Sequence, residues 1–155
     1  MIIQFVTIIV AILFMALSCA MGNSLAEGVI RFLDVNTLLC ILVLSLPILA
    51  WSGLWKDYFR AFKLLNRKYS CRLGEMRRTK EAVEFMQKQI LCAGVITTIY
   101  PLIYILGLLT DSLAELGPNV AAVLISILYT SILELLHLPL QMEVKRRIID
   151  YMEEE

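Results

Sequence analysis

Four apolar blocks, each close to the length of a bilayer crossing, constrain this chain more than any other feature of its sequence. They cover residues 2–21, 37–55, 90–109 and 119–140. About 20 apolar residues in helical form cross a hydrocarbon core about 30 Å thick. Inside lipid every backbone N–H and C=O needs a partner within the protein, so segments of this length are expected as helices. They are too long and too uniformly apolar for the alternating strands of a membrane barrel. Composition agrees: 59% of the 155 residues are hydrophobic and 18% charged, against about 45–50% and 25% in soluble domains. The expected fold is an all-α integral membrane protein of four transmembrane helices, forming a single membrane domain.

The first block reads as a retained helix. It has no basic residue ahead of the apolar run, and that run is too long for the core of a secretory signal. Ala16-Leu17-Ser18-Cys19 only faintly resembles a lipoprotein cleavage box. Orientation follows from charge. Lys56, Arg60, Lys63, Arg67, Lys68, Arg72, Arg77, Arg78, Lys80 and Lys88 all fall between the second and third blocks. Lys145, Arg146 and Arg147 follow the fourth, and Arg31 alone lies elsewhere. The positive-inside rule therefore places the loop 56–89, the tail 141–155 and both termini in the cytoplasm. The loops 22–36 and 110–118 face outward. Segregation of this kind speaks to topology, and nothing in it describes a nucleic-acid surface.

The inner loop carries its own pattern. Tyr58, Phe59, Phe62, Leu65 and Tyr69 recur at three- and four-residue steps between basic residues. That predicts an amphipathic helical extension of the second transmembrane helix. The pattern breaks around residues 70–74 and resumes at Thr79, where Thr79-Lys80-Glu81 is expected to start the helix leading into the third block. The basic face is expected to meet anionic lipid headgroups, each nearby cation contributing about 1 kcal/mol; a docking site for a cytoplasmic partner is the alternative.

Pro47 and Pro101 lie inside the second and third blocks, where each removes a backbone hydrogen bond and favours a kink. Gly117-Pro118 suits the entry to the fourth helix, Pro118 falling in its first turn. Within that helix Ser126, Thr130, Glu134 and His137 are spaced 4, 4 and 3 apart, one polar stripe on an apolar cylinder. An ionisable residue inside a membrane is costly and is a functional candidate by default. Two readings stand: an ion path, or a Glu134–His137 hydrogen bond that fixes packing near the inner interface. The cysteines, Cys19, Cys40, Cys71 and Cys92, are scattered without metal-ligand spacing, and His137 is the only histidine, so a multi-histidine metal site within one chain is excluded. Neither a nucleophile–base constellation nor a nucleotide loop appears. No cofactor and no enzymatic activity are expected.

Several runs resemble one family. Phe32-Leu33-Asp34-Val35-Asn36-Thr37, ahead of the second block, and Lys56-Asp57-Tyr58-Phe59-Arg60-Ala61-Phe62-Lys63, after it, are similar to the stretches flanking the second helix of MotA-type stator proteins. Pro101 with Gly107 resembles the third-helix pair of that family. Gly117-Pro118, Ala121, Leu124, Leu128-Tyr129 and Leu138-Pro139 resemble its fourth-helix pattern, with a one-residue gap before the last pair. The resemblance implies the MotA/TolQ/ExbB proton-channel class. Five copies there ring two helices of a smaller MotB/ExbD/TolR-like partner, which carries a membrane aspartate, in an ion-driven motor of the bacterial inner membrane. Carried onto this chain, it implies a homo-oligomeric ring with Pro101 beside that aspartate and Ser126 at a pore-facing threonine position. The ion-path candidates are then Pro101, Gly107, Ser126, Thr130, Glu134 and His137. Ile127, Leu108 and Tyr104 stand where the family has threonine, threonine and glycine. So few oxygen ligands favour H⁺ over Na⁺. The alternative is a non-conducting structural or regulatory protein that keeps the fold. The inner loop is much shorter than that of the flagellar protein, so a standard flagellar role is not implied.

Overall fold

The computed structural model describes residues 34–66, 69, 71–108 and 116–153, together with residues 6, 7, 9 and 10. The four isolated residues are helical. The rest of the first apolar block, and most of the segments 22–36 and 110–118, lie outside the described residues. Among the described residues every regular element is a helix: α1 (Val35–Trp51), α2 (Trp55–Leu64), α3 (Leu73–Leu108) and α4 (Leu116–Glu153). α3 and α4 are long and apolar enough to cross a membrane, and α1 with α2 supplies a third span if the bent pair is one crossing.

Local chemistry sets these boundaries. Asp34 caps α1: its Oδ1 accepts from the backbone N–H of Asn36 at 3.1 Å and of Thr37 at 3.3 Å. Its Oδ2 accepts from Thr37 Oγ1 at 2.6 Å, so the donors left open at a helix start are met. α1 stops at Gly53, whose φ of +73° lies in the left-handed region where a side chain is strained. The chain then turns by 105° into α2. The amphipathic segment expected to extend the second helix is thus a separate helix, because Gly53 breaks the hydrogen-bond ladder. Trp51 and Trp55 flank the break and are exposed, as aromatic residues at a membrane–water boundary often are.

The start of α3 also departs from expectation. The helix begins at Leu73, and the backbone N–H of Arg72 donates to Glu75 Oε2 at 3.3 Å. Thr79 is not a cap: it is fully buried one turn further on, its Oγ1 donating to the Glu75 carbonyl at 2.8 Å. Likewise α4 does not end with its apolar block but runs through Pro139 to Glu153. At 1.5 Å per residue, the 36 residues of α3 and 38 of α4 make rods of about 54 and 57 Å. A hydrocarbon core of about 30 Å covers little more than half of either.

The two rods pack antiparallel along one seam. On α3 it comprises Met76, Thr79, Val83, Met86, Ile90, Ala93 and Thr97, at steps of three and four. On α4 it comprises Ser126, Leu133, His137, Leu140, Val144 and Ile148. This is the periodicity of helices packing along a shared stripe. The buried core gathers at the charged end, where Tyr58, Ala61 and Leu64 of α2 close against Val83, Met86, Leu140 and Val144. α1 joins it through Ile41 and Leu49.

Candidate functional site

The polar stripe of α4 does not face a common space, because the packing divides it. Ser126 is buried against α3, its single hydroxyl proton shared between the carbonyls of Ala122 at 3.0 Å and Thr97 at 3.3 Å. The second contact has a specific cause. Pro101 has no N–H, so the carbonyl four residues earlier, that of Thr97, loses its helical donor. Ser126 supplies one from across the seam. Two residues singled out in the sequence for an ion path are thereby joined through a backbone oxygen, an arrangement by which prolines are tolerated within membranes.

One turn on, Thr130 donates to the Ser126 carbonyl at 2.8 Å and rests against Gly94. A Cβ placed on Gly94 would clash with Oγ1 and Cγ2 of Thr130 and stand 2.7 Å from its Cβ. The last of these cannot rotate away, so only glycine permits this approach. Small residues at such crossings are the rule where helices associate in lipid. Thr97 and Thr98 both donate to the Gly94 carbonyl, at 3.0 and 2.7 Å. The hydroxyls of this region are therefore satisfied within their own helices or across the seam.

His137, buried further along the seam, extends its ring to α2. Its Nδ1 lies 2.7 Å from the Leu133 carbonyl and its Nε2 2.7 Å from Tyr58 Oη. A carbonyl only accepts, so Nδ1 carries the proton, and Nε2 of the neutral ring accepts from the phenol. The two rings stack at 5.9 Å. α2 lies past the break that ends α1, and burial pushes the Tyr58 hydroxyl up to about 12, keeping it a donor. The expected Glu134–His137 pairing is replaced by this Tyr58–His137 contact. Seventy-nine positions separate the partners, and no local spacing indicates it.

Glu134 stands apart. Its Oε1 is shielded from solvent and has no hydrogen-bond partner. It borders a groove with Glu84, Gln87, Lys88, Leu91 and Gln141. Pro101 is half-buried in α3. Gly107 and Gly117 have open space where a Cβ would be. Pro118 lies in the first turn of α4. Cys40, Cys71 and Cys92 are free thiols, and no cluster of metal-ligating side chains occurs among the described residues.

Beyond the stripe, the charged end holds two polar constellations missed in the sequence. Asp57 is buried in α2 and pairs with Arg60 and, at 3.6 Å, with Arg78. Arg147 of α4 pairs with Glu143 at 3.2 Å. It also donates to the carbonyls of Leu64 at 3.1 Å, Asn66 at 3.3 Å and Tyr69 at 3.4 Å, closing the open end of α2. The acid at 57 within a basic run was the visible signal for the first. Comparison of the chain with protein-family models, with curated proteins and with solved structures finds no match.

Proposed function

We propose that this chain is the ring-forming subunit of an ion-driven, H⁺-linked motor or channel in a bacterial inner membrane, assembled around a single-helix partner that carries a membrane aspartate. In this reading there are four crossings, the charged end and both termini face the cytoplasm, and α3 and α4 form the wall nearest the partner. The observation carrying it is that α3 and α4 form one antiparallel pair, joined at Pro101, Thr97 and Ser126, while leaving broad apolar faces bare. Tyr100, Ile103, Tyr104, Leu124 and Ile127 are all exposed. Such faces suit lipid on one side and neighbouring copies on the other. The order of the flanking motifs, and the resemblance they carry to MotA/TolQ/ExbB proteins, supply the copy number of five.

The test is mass measurement of detergent-purified protein, followed by H⁺ flux in vesicles with the partner encoded beside it. A pentamer, and flux that falls several-fold in Ser126→Ala, support the proposal; a monomer or dimer overturns it.

A second reading, a non-conducting structural or regulatory membrane protein, is favoured by one observation: Ser126, Thr130 and His137 all spend their polar atoms on contacts inside the chain. It predicts that Ser126→Ala changes stability but leaves flux and partner-dependent activity unaltered.

A further inference from the structure

The open side of the α3–α4 seam carries two adjoining grooves of unlike character. The one nearer the charged end encloses about 290 Å³ and is bordered by Glu84, Gln87, Lys88, Leu91, Glu134 and Gln141. The other, also about 290 Å³, is walled chiefly by Leu91, Val95, Ile99 and Ile127, with Gly94 among its lining. Leu91 borders both, so they form one trough, polar at one end and apolar at the other. Each part is near the lower limit for a small-molecule pocket, the size of a headgroup or of a stretch of acyl chain.

The polar end is also charge-sorted. Lys88 is exposed and makes no ion pair among the described residues. It shares a face of α3 with Glu84, four residues earlier. Glu84 receives Gln141 at 3.5 Å and Lys80 at 3.6 Å. Glu134 borders the same end and its Oε1 has no hydrogen-bond partner, so an apolar occupant would leave the carboxylate uncompensated. Lys80 answers Glu84, which leaves one cation, Lys88, and one carboxylate, Glu134, at the polar end, a balance that favours neither a purely anionic nor a purely cationic headgroup. It matches a headgroup carrying a phosphate and, two carbons away, a primary ammonium.

We propose that this trough is a binding site for a zwitterionic aminophospholipid of the phosphatidylethanolamine type. Lys88 and Gln87 meet its phosphate, Glu134 meets its ammonium beside the Lys80–Glu84 pair, and one acyl chain lies along Leu91, Val95 and Ile99. The site draws only Lys88 from the basic residues of segment 56–89, and it does not depend on whether the chain conducts ions. A choline headgroup has no N–H to give Glu134, and a glycerol headgroup has no cation. Both should bind less well.

The test is native mass spectrometry of the intact protein from micelles holding equal amounts of phosphatidylethanolamine, phosphatidylcholine and phosphatidylglycerol with identical acyl chains. Phosphatidylethanolamine should be retained about tenfold over the other two, the equivalent of one charge-assisted hydrogen bond. Glu134→Gln and Lys88→Gln should each remove that preference, and Lys145→Gln, at an exposed position outside the trough, should keep it. Lys88 is exposed, so its replacement leaves the helix packing intact. Equal retention of the three lipids, a preference for phosphatidylglycerol, or a preference that survives both variants would overturn the assignment.

Discussion

The two halves of the α3–α4 pair are built on one seam and opposite chemistries. At the charged end large apolar residues, Val83, Met86, Ile90, Leu140 and Val144, are sealed inside. The charges drawn inward there, Asp57, Glu143 and Arg147, are each ion-paired. Away from the charged end the seam narrows to Ala93, Gly94, Thr97, Ser126 and Thr130, and Val95, Ile96, Ile103, Leu124 and Ile127 are exposed. The solvent accounts for the inversion. In water, burial of apolar surface stabilises a helix pair by about 25 cal/mol per Å². In lipid that driving force is absent, and close backbone approach with internally satisfied hydroxyls takes its place. A single periodicity serves both halves, and only the size and polarity of the seam residues change.

The sharpest way to break this comparison is to put a large side chain where the small-residue seam is closest. Gly94→Leu should abolish the folded pair, seen as loss of monodisperse protein in detergent. Gly94→Ala should also destabilise it, by about 1–3 kcal/mol as overpacking does, and Thr130→Gly should recover part of that loss. A tolerated leucine would mean that the rods are not pinned there.

The next largest effect belongs to the charged end. Arg147→Ala removes a mostly buried cation from Glu143 and takes a donor from the carbonyls of Leu64, Asn66 and Tyr69, of which Asn66 keeps the Tyr69 N–H. A cost of about 2–3 kcal/mol is expected from lost hydrogen bonds to a charged group, with faster amide exchange over residues 61–66. Unchanged exchange would remove the capping role.

At the boundary between the halves, Tyr58→Phe leaves His137 Nε2 buried without a donor. The expected loss is about 1–2 kcal/mol, and a double-mutant cycle with His137→Leu should show coupling. Additive effects would show that the stacked rings contribute by packing alone.

The smallest effect separates the proline from its cross-seam donor. Ser126→Ala should cost about 1 kcal/mol, in the range measured for hydrogen bonds between membrane helices. In a Pro101→Ala background the Thr97 carbonyl regains its helical donor, so the same change should cost less. Equal costs in both backgrounds would dissolve the link.

Hydropathy made the apolar helices α1, α3 and α4 legible in the sequence, and the three- and four-residue steps of Tyr58, Phe59 and Phe62 announced α2. The breaks were harder. Gly53 is one glycine among seven, and only its left-handed φ distinguishes it. Thr79 looks like a cap in one dimension because threonine serves both as a cap and as a buried residue bonded to its own helix. Spacing alone put Ser126, Thr130, Glu134 and His137 on one face. It could not show that neighbours on either side draw Ser126 toward Thr97 and His137 toward Tyr58, leaving Glu134 on the trough. Arg147 was read as part of a basic tail, because its carbonyl partners lie about 80 positions earlier in the chain.

The close approach of Gly94 to Thr130 has a mechanical side. It lies partway along two rods that continue without interruption, so a change of tilt between them would pivot there. Arg147 is 17 residues from Thr130, or about 25 Å at 1.5 Å per residue. A rotation of about 10° at that point would carry the guanidinium, and the end of α2 that it grips, sideways by about 4 Å. A small change of tilt in the apolar half therefore becomes a displacement of side-chain size at the charged end.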